Sequence, residues 1–397
     1  MFSLKNKLDP NLKIAIHNKS YKTYRVIIHY KTILGNVEKK LASYKGSIIR
    51  FIPSIDCISA NLTEHAISRL IEYPEVDYIT FDSYAFLCGS SILSANGIAL
   101  NERYKLTGKG IGIGLIDSGT YPHPDLMHPS NRIKNFLDLV NNIKYPYDDN
   151  GHGTFISGVL SGNGRSSKGM YKGIAIDSHI FSIKAFNSIG KAYVSDILYG
   201  LEVLLNASKD YNIKIICLPF ELIDNNYFYL SLFEKLFSKA VENNIVIVVP
   251  SGSNGNTECS IRGIATLNNC ITVAGLDTRS KPKIYEHSSS GNYGKLEKPD
   301  LIAACVDICS LNSNTNYISE KNGVKLFTQS LDKPYTTYTG TSCSAAYISG
   351  LCALLLENNP NLTYKDIVSL LKVSSGMLEV HKRLQGQGVV DINKLLP

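Results

Sequence analysis

Three residues carry side chains that together would make a nucleophilic site. Asp117 follows the apolar run Ile111–Ile116 and precedes Ser118-Gly119. His152 lies in Asn150-Gly-His-Gly-Thr154, and Ser342 lies in Gly340-Thr-Ser-Cys-Ser-Ala345. A serine hydroxyl is a weak nucleophile at neutral pH. It needs a base to take its proton during attack and return it to the leaving group, and a carboxylate to hold that base in one tautomer and stabilise its charged form. An acid, an imidazole and a hydroxyl meet those needs, and the chemistry would be acyl transfer. Each motif is common on its own. Asp-Ser-Gly occurs in many turns, Gly-His-Gly in many loops, and Gly-Thr-Ser caps many helices. Their joint order, Asp then His then Ser, narrows the choice.

Such residues must be brought to one edge by the elements around them. The runs Ile111–Ile116, His179–Ala185, Ile213–Leu218, Ile245–Pro250 and Cys270–Ala274 read as buried strands. Helical patterns at His152–Ser161, Ser195–Asn206, Leu230–Asn243 and Ser342–Glu357 alternate with them. Buried β-branched strands alternating with helices predict an α/β fold, a parallel sheet with helices on both faces. In such sheets the carboxyl ends of the strands and the adjoining helix N-termini form the functional edge. Asp117 ends a strand there, while His152 and Ser342 each open a helix. Ser310–Thr339 reads as an irregular polar excursion.

A smaller module precedes this one. Tyr24–Tyr30 reads as a strand, Val37–Tyr44 as a helix, and Gly46–Ile52 and Ile58–Leu62 as strands. Thr63–Glu72 reads as a helix capped by Thr63, and Val76–Phe81 as a last strand. The order β-α-β-β-α-β is the split ferredoxin-like pattern. The stretch Cys88–Leu100 is rich in small residues and reads as an exposed connector. The domains expected are therefore 1–90 and 91–397.

Composition excludes several classes. The chain has 397 residues, 44% hydrophobic and 19% charged, which suits a folded globular protein rather than a disordered one. Net charge is +7, from 41 basic and 34 acidic residues, without a run of basic residues, so no nucleic-acid partner is expected. No apolar stretch reaches 18 residues, so no membrane span is expected. The N-terminus shows no secretion signal, which predicts a cytoplasmic protein or one exported by a non-standard route. Nine cysteines, several in apolar runs, predict reduced buried thiols rather than a disulfide framework.

The motifs together resemble the subtilisin-like serine proteases (subtilases, peptidase family S8). Thr107–Gly119 with His123-Pro-Asp125-Leu126 is similar to the family's Asp region. Asn150–Gly158 is similar to its His region, followed by Gly173-Ile-Ala175. Gly340-Thr-Ser342 with Ala345 and Gly350 is similar to its Ser region, and Lys298–Ala303 to a further segment upstream. The resemblance implies a subtilisin-like fold and peptide-bond hydrolysis by Asp117, His152 and Ser342. It also implies a side-chain amide in the oxyanion hole. Counting from the end of Ile245–Val249 favours Asn254, with Asn256 as the alternative. The first module resembles an inhibitor-like propeptide, which would make the chain a zymogen, cleaved by itself within 87–95. The partners implied are a protein or peptide substrate and the chain's own propeptide.

The chain also departs from the family. After Ser342 the family has Met-Ala-Ser-Pro-His, where this chain has Cys343-Ser-Ala-Ala-Tyr347. The cleft strand usually reads Ser-Leu-Gly, where this chain has Leu218-Pro219-Phe220. Pro219 removes an N–H that could pair with substrate, and Phe220 is expected to narrow the first specificity pocket, with Ser251 and Gly252 as its opposite wall. These departures motivate the alternative of an idle pseudoprotease that binds peptides. They also motivate a dedicated processing enzyme over a scavenging one. No cofactor is expected. Calcium is the one metal the family suggests, at Asp125 with Asn163, but Arg165 and Lys168 lie in the same loop.

Overall fold

The computed structural model describes residues 7–31, 40–87, 105–222, 225–291, 297–329 and 331–396. The connector read at Cys88–Leu100 lies outside them. The chain divides into two compact units, one of Met1–Tyr84 with Tyr193–Glu202, the other of Ala85–Ala192 with Val203–Pro397.

In the first unit, α1 (Pro10–His17) precedes β1 (Tyr24–Tyr30), β2 (Ser47–Ile52), β3 (Cys57–Leu62), α2 (Glu64–Leu70) and β4 (Val76–Phe81). The strands pair antiparallel in the order β2-β3-β1-β4. Thr63 caps α2, as expected, by accepting from Ala66 N. Residues 40–43 are helical, the described part of the helix read at Val37–Tyr44. The sequence reading missed α1, where Asp9 accepts from Asn11 N and Leu12 N and Pro10 opens the helix. Ile28, Ile58, Ile67 and Ile79 fill the core of this unit.

The second unit is built on a large sheet. Its path uses β6 (Gly112–Asp117), β7 (Ile133–Asp138), β8 (His179–Lys184), β10 (Ile213–Cys217), β12 (Val246–Pro250), β13 (Ile271–Asp277), β14 (Leu301–Ala304), β17 (Ser375–Gly376) and β18 (Val389–Val390). The order is β17-β18-β14-β13-β12-β10-β6-β8-β7, parallel from β18 to β7. Strand β12 is buried at every position, which is why it reads as a continuous apolar run. Helices α3 (His152–Ser161) and α6 (Thr341–Asn358) share a core with Ile113 and Leu115 of β6. Gly114, between those two, turns its face to Leu204 of α4 (Val194–Asn206), and α5 (Tyr227–Glu242) lies along β12. Both faces of the sheet therefore carry helices. Every residue of α6 from Thr341 to Leu356 is buried.

Beside the large sheet, β5 (Tyr84–Leu87) is the middle strand between β9 (Lys191–Tyr193) and β11 (Phe220–Leu222). It runs antiparallel to β11, with Leu87 opposite Phe220 and Phe86 opposite Glu221. The stretch Ser310–Thr339 is more ordered than its composition suggested, because β15 (Ile308–Leu311) and β16 (Tyr335–Tyr338) pair antiparallel across it. The polar residues form the excursion between these strands, and the tyrosines of β16 meet the body of the unit.

Candidate active site

Strand β6 delivers Asp117 to the carboxyl edge of the sheet, fully buried. Helix α3 begins at His152, and the imidazole Nδ1 lies 2.9 and 2.8 Å from the two Asp117 carboxylate oxygens. Burial raises the Asp117 carboxyl above its usual range, while His152 and the Ser118 N–H act in the opposite sense. A buried carboxylate of this kind has most to gain when its neighbour becomes an imidazolium, which is the moment of proton transfer.

The strand and helix are locked together by a residue the sequence reading did not single out. Asp148 accepts from Ser118 Oγ at 2.9 Å and Gly151 N at 2.8 Å. It also takes Thr154 N at 2.8 Å and Thr154 Oγ1 at 2.6 Å. Ser118 Oγ in turn accepts from Gly153 N at 2.9 Å. Asp148 thus takes up donors of the first turn of α3, where the helix dipole favours an anion, and ties that turn to the residue after Asp117. A Cβ at Gly153 would clash with the Gly119 carbonyl, so the approach of α3 to β6 requires glycine there. The buried Lys184 reaches Asp149 Oδ1 at 2.5 Å and the Ser118 carbonyl at 2.6 Å. The Tyr338 ring stands edge-on to His152 at 5.5 Å. An Asp four residues before a helix-opening histidine was the available sign for Asp148. Nothing in the local pattern marked Lys184 or Tyr338.

Ser342 is the second residue of α6 and is buried. Its hydroxyl donates to the Pro219 carbonyl at 2.9 Å. His152 Nε2 has no hydrogen-bond partner among the described residues. The structure therefore joins Asp117 to His152, and Ser342 to the cleft strand, with no hydrogen bond from Ser342 to His152. Cys343, beside the serine, is buried, and burial pushes its thiol up to about 12, so it stays protonated and is no second nucleophile.

The residues expected at the pocket come from two segments, Leu218–Phe220 and Ser251–Gly252. Thr341 Oγ1 donates to the Gly252 carbonyl at 3.3 Å. Ser251 N bonds the Val273 carbonyl at 2.8 Å. Leu218 is buried. Phe220 is turned into the body of the unit. Its ring is fully buried and packs on Phe186 at 5.1 Å, because alternation along β11 turns it and Leu222 inward. Glu221, between them, meets the Gly252 loop. Its Oε2 accepts from Ser253 N and from Asn254 Nδ2, each at 3.1 Å. The Asn254 amide also reaches Ser289 Oγ at 3.3 Å. Turned so that its nitrogen faces the acceptors around it, the Asn256 amide is committed to main chain instead, donating to the Ser288 carbonyl at 2.8 Å.

The residues around Asp125 do not fit calcium. Asp125 Oδ1 accepts from Ser166 N at 2.9 Å and Ser166 Oγ at 2.6 Å, and Oδ2 accepts from Tyr335 OH at 2.5 Å. The Asn163 carbonyl oxygen accepts from Arg165 N at 3.0 Å. These neighbours present hydrogens to the carboxylate, whereas calcium needs several oxygens aimed at one point. No group of three or more metal-ligating side chains occurs among the described residues.

A parallel sheet that sets an acid–imidazole pair at its carboxyl edge, together with a buried helix that carries a serine in its first turn, has the architecture of one class of serine proteases. The subtilase family model matches residues 108–389, and the chain belongs to that family. It is 30% identical over 359 residues to the serine protease AprX of Bacillus subtilis, covering 86% of this chain and 79% of that one. It is 23% identical over 341 residues to the M-protease of Shouchella clausii, covering 85% and 78%. Fervidolysin from Fervidobacterium pennivorans, a keratinolytic enzyme related to subtilisin, superposes with a TM-score of 0.72 at 18% identity. That match covers 95% of this chain and 61% of the other, and it speaks for the fold alone.

Proposed function

We propose that this chain is a serine endopeptidase that removes its own N-terminal module. Ser342 attacks the scissile carbonyl, with His152 as general base and then general acid. Asp117 holds His152, and Asn254 with the Ser342 N–H stabilises the oxyanion. The observation that carries this reading is the Asp117–His152 pair at 2.8 Å in a chain of this family. Residues 1–90 act as propeptide and 91–397 as peptidase. Support comes from β5, an extended segment already paired with β11 as an added strand. It ends at Leu87 opposite Phe220, one residue from Pro219, whose carbonyl takes the Ser342 hydroxyl. The cut is therefore placed just beyond this paired segment, within 87–95. Substrates are other proteins or peptides, and the proposed role is processing in the cytosol.

Intact-mass spectrometry of the purified wild type beside Ser342→Ala tests this. Cleavage within 87–95 in wild type, with Ser342→Ala whole, is expected. The second reading, an idle pseudoprotease, draws on the unpartnered His152 Nε2. It would be supported if both proteins stay whole and a serine-reactive phosphonate fails to label Ser342.

A further inference from the structure

Glu221 is the one acid on the strand that lines the cleft. It lies in β11 between two buried apolar residues and is itself half-buried. Its Oε2 takes the N–H groups of Ser253 and Asn254, and Oε1 takes none among the described residues. It makes no ion pair among them either. Arg262, the one cation among the described residues that acts on it, is exposed and forms no bond with it. Burial raises this carboxyl above its usual range. An acid kept half-buried on the cleft strand, without an ion-pair partner among the described residues, is costly unless a ligand brings one.

The strand register says which part of a ligand would do so. Residues opposite each other in an antiparallel pair share a face, as do residues two apart on one strand. A peptide extended in the register of Ala85–Leu87 sets one residue opposite Glu221 and the residue two further on opposite Pro219. The latter residue lies beside the Ser342 hydroxyl, so its carbonyl is the one attacked. Its side chain lies on the face of Glu221, one diagonal step away, within reach of a long side chain. The loop Gly252–Asn254 bounds that face. Gly252 has φ +103°, and a Cβ there would clash with Glu221 Oε2, so the carboxylate fills the space that a side chain at 252 would take.

We infer that Glu221 is a specificity-determining residue that selects lysine or arginine immediately before the scissile bond. The inference rests on the peptidase reading above. The chain's own segment after Leu87 begins Cys-Gly-Ser-Ser and has no lysine or arginine before Arg103. Self-cleavage there is accordingly slower than cleavage of a basic substrate.

The test uses two fluorogenic peptides that differ only in ending with Lys or Leu before the cut. Wild type should show kcat/KM at least about tenfold higher for the Lys peptide, as one charge-assisted contact provides. In Glu221→Gln, which keeps an acceptor for Ser253 and Asn254, that ratio should fall to about one. The ratio is the readout, so a general loss of rate does not obscure it. A wild-type ratio of one or less, or a high ratio that survives in Glu221→Gln, overturns the inference. If neither peptide is cut, the peptidase reading fails, and binding of product peptides ending in Lys or Leu to Ser342→Ala decides the matter. Tighter binding of the Lys peptide, abolished by adding Glu221→Gln, leaves the pocket assignment standing, and equal binding removes it.

Discussion

The Ser342 hydroxyl donates to the Pro219 carbonyl at 2.9 Å, while the His152 nitrogen that should receive its proton has no partner among the described residues. In the proposed mechanism, attack would begin with a rotation of the serine side chain toward His152. The Asp117–His152 pair needs no help from Ser342, since both carboxylate oxygens already lie within 2.9 Å of Nδ1. Ser342→Ala should keep a strongly downfield Nδ1 proton resonance in the NMR spectrum, as in wild type, and Asp117→Asn should lose it. Activity should fall about 10⁴-fold in Asp117→Asn, the scale set by a wrong histidine tautomer in another Ser-His-Asp enzyme. Loss of the resonance in Ser342→Ala would mean that the serine helps to hold the pair after all.

The two asparagines after β12 are distinguishable by what their amides touch. Asn254 is exposed and shares its amide with Glu221 and Ser289. Asn256 bonds the Ser288 and Tyr285 carbonyls. Asn254→Leu should lower kcat by about 10²–10³ with KM little changed, the scale set by the oxyanion-hole asparagine of subtilisin, the family's type member. Asn256→Leu should instead lower the thermal midpoint, because it strands buried carbonyls. The assignment of the oxyanion donor fails if the two kinetic effects are exchanged.

Much of this site was legible in the sequence, for a physical reason. Asp117, His152 and Ser342 each stand at the junction of an apolar run and a glycine-flanked turn, and parallel α/β topology brings such junctions to one edge. Strands β12 and β13 read clearly because both their faces are buried. Edge strand β7 has three half-buried positions and one exposed one, and its apolar signal was too weak to see. Helix α7 (Tyr364–Val373) was also missed, although Thr363 and Asp366 form a reciprocal capping box at its start. Phe220 was expected to narrow the pocket because it stands where the family has a small residue, and its packing on Phe186 was not legible from the segment alone. Only strand alternation, visible once β11 is paired, shows that it turns inward and leaves Glu221 at the loop.

Asp148 holds five hydrogen bonds at the base of α3, from Ser118, Asn150, Gly151 and twice from Thr154. Replacing it by alanine leaves several of these donors buried without acceptors, at about 1–3 kcal/mol each. Asp148→Ala should lose more than about 4 kcal/mol in urea unfolding, a size reserved for broken buried networks. Asp148→Asn keeps an acceptor and should lose less than half as much. If the two variants unfold alike, the network is not what secures α3 to β6.

Asp300 gives the chain a dependence on acid. Its carboxylate lies 2.6 Å from the buried Lys298 ammonium and 3.0 Å from Lys372, and accepts from Thr272 N at 2.9 Å. Burial alone would raise this carboxyl, but the two lysines and the N–H outweigh it and hold it below the usual range. A depressed carboxylate contributes stability that is present above its unfolded pKa, about 3.9, and lost as pH falls through the lower folded value. Asp300→Asn removes the charge and leaves Lys298 buried without its partner, which costs about 3–5 kcal/mol. Urea midpoints should therefore separate wild type from Asp300→Asn widely between pH 5 and 7, on the scale of that loss. The gap should narrow as pH falls below about 4, where the unfolded chain takes up the proton first, and close as the folded carboxyl follows at its lower value. A gap that stays constant down to pH 2 would show that the loss comes from packing rather than from the ion pair.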